Sequence, residues 1–185
     1  IFCLLFFILL SQAPGAHAAQ PLQPWFDMAM PGAIIRLPPG IYQGPAVISK
    51  PLTLEGEGKV IIDAGGQGTV LTVKANNVTL RGLTLLGSGG SHDKIDGGLM
   101  VEGNNLLIEN NVIEDVLFGI SLHKTNHSIV RNNRIRSRPD DSADRGDGLR
   151  LWYSMRNRIE NNDIAQMRDI TVSNSPYNRF TGNTV

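Results

Sequence analysis

Ile159-Glu-Asn-Asn-Asp-Ile164 has near copies at Leu80-Arg-Gly-Leu-Thr-Leu85, Ile108-Glu-Asn-Asn-Val-Ile113, Val130-Arg-Asn-Asn-Arg-Ile135 and Phe180-Thr-Gly-Asn-Thr-Val185. Their first residues are spaced by 28, 22, 29 and 21 positions. A short period with an alternating insertion marks a solenoid, in which each repeat buries its apolar face only against its neighbours. A second series, the pairs Leu71/Val73, Leu99/Val101, Ile120/Leu122, Leu149/Leu151 and Ile170/Val172, steps by 28, 21, 29 and 21. Both series carry the same insertion. Two loops, about Gly87 to Gly98 and Arg136 to Gly148, therefore leave one edge of alternate coils.

Within each pair the flanking residues point to one side of a strand and the middle residue to the other. The inward set of one coil then stacks on the next at about 4.8 Å. A coil of about 21–22 residues with several short strands predicts an all-β chain, a parallel β-helix. Strands this short, with no helical periodicity beyond Gly32, exclude leucine-rich and helical solenoids. Asn111, Asn133, Asn162 and Asn183 share one column, where an asparagine can occupy a left-handed bend and its amide can bond the amides above and below. Leu83 breaks that column in its first coil.

Residues 1–18 read as a secretory signal peptide, an uncharged apolar run followed by Ala16-His17-Ala18. Cys3, the only cysteine, would leave with it, so the mature chain is expected to hold together without a disulfide. Residues 19–32 read as an N-terminal cap, with Trp25, Phe26 and Met28 available to cover the open end of the coils. Residues 33–185 form the β-helix domain, expected to be truncated at its C-terminus. Its first strands are placed at Ala33 to Leu37, Val47-Ile48, Leu52 to Leu54 and Val60 to Ile62. The 17 basic and 17 acidic residues produce no net field to steer the protein to nucleic acid or an anionic membrane.

Several stretches resemble the NosD family, the periplasmic copper-binding accessory proteins of nitrous oxide reductase maturation. They are Gly40-Ile-Tyr-Gln-Gly-Pro45, Lys50-Pro-Leu-Thr-Leu-Glu-Gly56, Ile62-Asp-Ala-Gly-Gly-Gln-Gly-Thr-Val70, Arg81-Gly-Leu-Thr-Leu85, Leu117-Phe-Gly-Ile120, and Gly146-Asp-Gly-Leu149 with Trp152. The resemblance implies a right-handed parallel β-helix in the periplasm. It also implies work alongside an ABC-type ATPase and its membrane permease, assembling the copper-sulfide centre of the reductase without catalysis of its own. Arg168-Asp169-Ile170 departs from the pattern, lacking the glycine usual between the aspartate and the apolar residue.

The outward residues between the paired apolar ones are Thr72, Met100, Ser121, Arg150 and Thr171, and the next column reads Lys74, Glu102, His123, Trp152 and Ser173. His92, in the first insertion, can fold over this face. A thioether with imidazoles suits copper, since soft ligands favour Cu(I) and imidazole serves either oxidation state. His92, Met100 and His123 are therefore the candidate metal ligands, with His127, Met155 and Met167 as alternatives. A different reading is a carbohydrate-binding or polysaccharide-modifying protein of lyase or epimerase type. For it the carboxylates Asp93, Asp96, Glu114, Asp115, Asp140, Asp141, Asp144 and Asp147 would supply acid and base groups or hold calcium. Interleaved Arg136, Arg138 and Arg145 make ion-paired loops the simpler account of those acids. A docking surface for a partner needs no reactive residue and fits the same face.

Overall fold

The computed structural model describes residues 19–138 and 144–185. Residues 1–18, read above as a signal peptide and including Cys3, and the insertion residues Asp140 and Asp141 lie outside the described residues. Strand β1 (Gln20–Pro21) and helix α1 (Gln23–Met28) lead into β2 (Ala33–Arg36), β3 (Gly40–Gln43) and β4 (Ala46–Ile48). Then come β5 (Leu52–Asp63), β6 (Leu71–Val73), β7 (Thr79–Leu86) and β8 (Gly97–Val101). The following coils hold β9 (Leu107–Glu109), β10 (Val112–Val116) and β11 (Phe118–His123), then β12 (Ile129–Arg131), β13 (Arg134–Ser137) and β14 (Leu149–Trp152). Strands β15 (Arg158–Glu160), β16 (Asp163–Ala165), β17 (Ile170–Ser173) and β18 (Arg179–Thr181) complete the order.

Every strand pairing among the described residues is parallel, and the strands form a 12-stranded and a 6-stranded sheet. This is a parallel β-helix. Leu54, Leu80, Ile108, Val130, Ile159 and Phe180 stack in register, one per coil. All but Phe180, which is 40% exposed on the last coil, are buried. Each buried aliphatic side chain contributes about 1.5–3 kcal/mol of transfer free energy. A one-residue slip would turn the whole column outward, so the column fixes the register. The two stretches expected as separate strands at Leu52 and Val60 are one strand, β5, bent where the register shifts and Glu57 and Gly58 take positive φ.

At the N-terminus α1 buries Phe26 against the core, and Leu22 beside it is fully buried. Trp25 is partly buried and meets Tyr42 in a T-shaped contact at 6.4 Å. Met28, by contrast, is 77% exposed. Lys50 Nζ donates to the carbonyls of Asp27 (3.0 Å) and Ala29 (2.9 Å), satisfying acceptors that the helix end leaves free.

The bends between sheets expose backbone groups that no strand can pair, and side-chain amides take them. Asn111 Nδ2 donates to Asn133 Oδ1 (3.0 Å), Asn133 Nδ2 to Asn162 Oδ1 (3.0 Å) and Asn162 Nδ2 to Asn183 Oδ1 (2.9 Å). The same oxygens accept the backbone N–H of Asn111, Asn133 and Asn162. Where Leu83 interrupts the column, its N–H donates to Asn111 Oδ1 at 3.1 Å. The ladder asparagines do not themselves take the left-handed bend expected of them. Their predecessors Asn110, Asn132, Asn161 and Gly182 do, at φ from 53° to 67°, so the Asn-Asn dipeptide divides turning and bonding between two residues. A second ladder runs through Ser128, Asn157 and Asn178, and a third through Asn76, Asn104 and Asn126.

Gly98, Gly119 and Gly148 occupy equivalent places in adjacent coils, between the register pairs Phe118↔Gly97 and Ile120↔Leu99, and before Ile120↔Leu149. A Cβ at Gly119 would stand 2.1 Å from the Gly148 carbonyl oxygen and 2.6 Å from Ile135 Cγ2. Asp169, the departure noted above, follows in the next coil with an exposed side chain, while its carbonyl still accepts the Gly148 N–H at 2.8 Å.

The outer face of the large sheet carries an alternating column, Arg36, Glu55, Arg81, Glu109, Arg131 and Glu160. Arg36 Nε lies 2.7 Å from Glu55 Oε2, Arg81 also pairs with Glu55, and Arg131 Nε lies 2.8 Å from Glu109 Oε2. The Arg81 hydrogen bond, foremost, and the Arg36 charge hold Glu55 below its ordinary pKa of 4.5. Glu160 is lowered in the same way, chiefly by its hydrogen bond with Arg158.

Three stability outcomes follow from these contacts. Asn133→Ala leaves buried partners unsatisfied at about 1–3 kcal/mol, whereas Asn105, exposed with φ 59°, loses mainly its left-handed preference. Thermal melts will show the larger drop for Asn133→Ala, and equal drops would remove the ladder from the account. Gly119→Ala forces the backbone apart and costs about 3 kcal/mol, read as a fall in denaturation midpoint at unchanged slope. Because Glu55 has a depressed folded pKa, its contribution is present above pH 4.5 and lost as pH falls through the folded value. The melting-temperature gap between the wild type and Glu55→Gln will accordingly close as pH falls below 4.5 through the lowered folded value, and a gap independent of pH would refute the pairing.

Candidate functional site

The outward face of the small sheet is built by β8, β11 and β14, whose alternation sends Leu99, Val101, Ile120, Leu122, Leu149 and Leu151 into the core. The residues between them face out. The register sets Met100 against Ser121 and Ser121 against Arg150, and it sets His123 against Trp152. Glu102 follows Val101 on the coil before His123. These side chains, with Ile95 from the first insertion, line a groove of about 290 Å³.

Met100 and His123 thus come from consecutive coils and share one groove. His123 Nδ1 faces Glu102 Oε1 at 3.5 Å, which directs Nε2 away from that carboxylate. Arg150 also borders the groove, but its charge is engaged on the insertion side: Cζ lies 5.2 Å from the Phe118 ring centroid and Nε 3.5 Å from Asp147 Oδ2. Trp152, two residues on from Arg150 in the same strand, also lines the groove, is 43% exposed, and meets Tyr153 in a T-shaped contact at 5.6 Å.

His92 is placed beside this groove rather than among its lining residues. Its ring meets Phe118 edge-on at 5.5 Å and its Nε2 lies 3.1 Å from the Asp144 carbonyl oxygen, which joins the two insertions. His127 and Met155 sit on neighbouring coils at the following turn, where the His127 N–H donates to the Met155 carbonyl at 3.2 Å. Met167 packs against the core. Among the described residues no group of three or more His, Cys, Asp or Glu side chains converges as a metal cage.

Two acidic residues of the insertions, Asp96 and Asp147, are committed to structure. Asp147 is buried and accepts from Arg168 (2.8 Å) and the Thr171 hydroxyl (2.8 Å). Asp96, also buried, accepts the Ser91 N–H at 3.0 Å. Arg136 pairs with Asp163, and Arg138 donates to the carbonyls of Ser88 (2.7 Å) and Gly89 (2.9 Å), fastening the second insertion to the first. Sequence reasoning assigned no role to Trp152 in binding. Its signal was present in the column that contains His123.

A thioether, an imidazole and an indole lining one groove suit a soft cation. Residues 47–185 match the family described as Periplasmic copper-binding protein (NosD). A relative from Stutzerimonas stutzeri, "Probable ABC transporter binding protein NosD", is 30% identical over 160 residues, covering 85% of this chain and 36% of its own length. Another of the same name, from Pseudomonas aeruginosa, is 30% identical over 135 residues, covering 70% of this chain and 31% of its own. The chain spans about a third of the length of the curated relatives it matches. Among solved structures, a protein from Parabacteroides merdae proposed to be a glycosyl hydrolase is alike at a TM-score of 0.64 and 12% identity, over 83% of this chain and 82% of that one. At that identity the likeness shows the fold alone.

Proposed function

This chain belongs to the NosD family of periplasmic copper-binding proteins, and we propose that it carries copper on the outward face of its small sheet. The observation that supports this reading is the presence of Met100 and His123 in one groove, on consecutive coils. The thioether and the free Nε2 are donors suited to Cu(I). Glu102, beside Nδ1, orients the ring as a partner behind a ligand does. His92 completes a three-donor set when its hydrogen bond to the Asp144 carbonyl is exchanged for the metal.

In this reading the protein binds and hands over an ion and makes or breaks no covalent bond. It acts in the periplasm, reached through the apolar segment at residues 1–18. There it works with an ABC-type ATPase and its permease to assemble the copper-sulfide centre of nitrous oxide reductase. The relatives' name as ABC transporter binding proteins supports that partnership.

The test is an anaerobic Cu(I) titration of the chain against a competing chelator. Loss of a direct ligand costs more than loss of a partner behind it, so His123→Ala will weaken binding by roughly tenfold or more. His127→Ala will leave it within about twofold, since a kilocalorie-scale change is needed for more. Equal losses in the two variants, or full binding by a His92, Met100 and His123 triple alanine variant, would move the site elsewhere.

A further inference from the structure

The groove holds one residue that the copper reading leaves unused. Trp152 stands directly opposite His123 in the parallel register, on the coil after it. Large aromatics contribute most when buried, yet this indole is 43% exposed and lines the groove. Its orientation is constrained: Tyr153, at φ 49°, meets it in a T-shaped contact from the turn side.

An indole face attracts a cation through its quadrupole, more strongly than any other aromatic side chain, and the attraction grows as water is excluded. The one basic side chain on the groove wall, Arg150, directs its guanidinium to Phe118 and Asp147. Glu102 adds negative charge next to His123. Trp152 thus lines the same groove as Met100 and His123, one coil on from His123 in the register.

Resting on the copper reading above, we infer that Trp152 caps that metal site, its indole covering a monovalent copper ion. A π-face and a thioether are soft and bring no formal charge, so the cap favours Cu(I) over divalent ions, which want further nitrogen and oxygen ligands. It also keeps water and oxygen from the open side of the ion. Met100, His123 and Trp152 come from three successive coils, so register alone sets these three on one face, and His92 joins them from the first insertion.

Fluorescence separates this inference from the reading beneath it. The chain has two tryptophans, and Trp25 packs beside Tyr42 at the N-terminal cap. In the Trp25→Phe variant all indole emission comes from Trp152. Cu(I) is a closed-shell ion with no absorption to take up indole emission from a distance, so quenching reports contact. Added anaerobically from a chelator-buffered solution, one equivalent of Cu(I) will quench Trp25→Phe, and His123→Ala in that background will lose both binding and quenching. Trp152→Phe in the wild-type background will bind Cu(I) about 3- to 30-fold more weakly and will release Cu(II) sooner on exposure to air. If Trp25→Phe folds poorly, the difference between wild-type and Trp152→Phe emission gives the same reading. Copper uptake that depends on His123 but leaves Trp152 emission unchanged, with Trp152→Phe within twofold of wild type, overturns the cap and leaves the metal site standing. No uptake of Cu(I) by the wild type overturns the site and the cap together.

Discussion

Side-chain oxygens that accept the backbone N–H groups of a neighbouring coil are what allow the rest of this structure to exist. Sheets can pair their own strands, but the bends between sheets cannot, and an unpaired buried N–H costs about as much as several exposed contacts gain. Asn133 shows how one residue meets that demand: its Oδ1 accepts from the Asn111 backbone and side chain, while its Nδ2 serves the Ile108 carbonyl and the next asparagine. The bends are thereby fixed at one spacing. Everything on the outside of the molecule, including the groove, inherits its alignment from that spacing.

The inward columns were legible because they rest on period alone. Leu80, Ile108, Val130 and Ile159 keep their phase across both insertions, and no other register buries all four. The asparagine column was legible as a column but not as a division of labour, since either member of an Asn-Asn pair can adopt a left-handed bend, and only backbone geometry shows that the first does. The ladder through Ser128, Asn157 and Asn178 was hidden because it passes from a hydroxyl to amides, so no single residue type runs along it. The charge column needed the register first: Arg36 and Glu55 are 19 positions apart, Glu55 and Arg81 are 26, and only pairing brings them together.

At the groove the same distinction holds. Met100 and His123 lie on regular strands, and counting along the sequence placed both on the outward face. His92 lies in an insertion that obeys no period, and its contacts with Phe118 and the Asp144 carbonyl depend on how two loops meet. Of the acidic residues there, Asp96 and Asp147 gained visible donors once the loops were in place. Asp147 with Arg168 and Thr171 is a fastening between coils.

The alternating column of Arg36, Glu55, Arg81, Glu109, Arg131 and Glu160 also sets the unit by which such a molecule can lengthen or shorten. Removing a single coil would bring arginine against arginine or glutamate against glutamate, where like charges directly opposite are destabilising. Removing two adjacent coils would restore every opposite pairing. The insertions keep the same count, since the first and second leave coils two apart, and Leu80 to Val130 and Val130 to Phe180 are each 50 positions. The heritable module is therefore a pair of coils, one bearing a loop and one bare, and a duplication or deletion of about fifty residues is the one that electrostatics lets through.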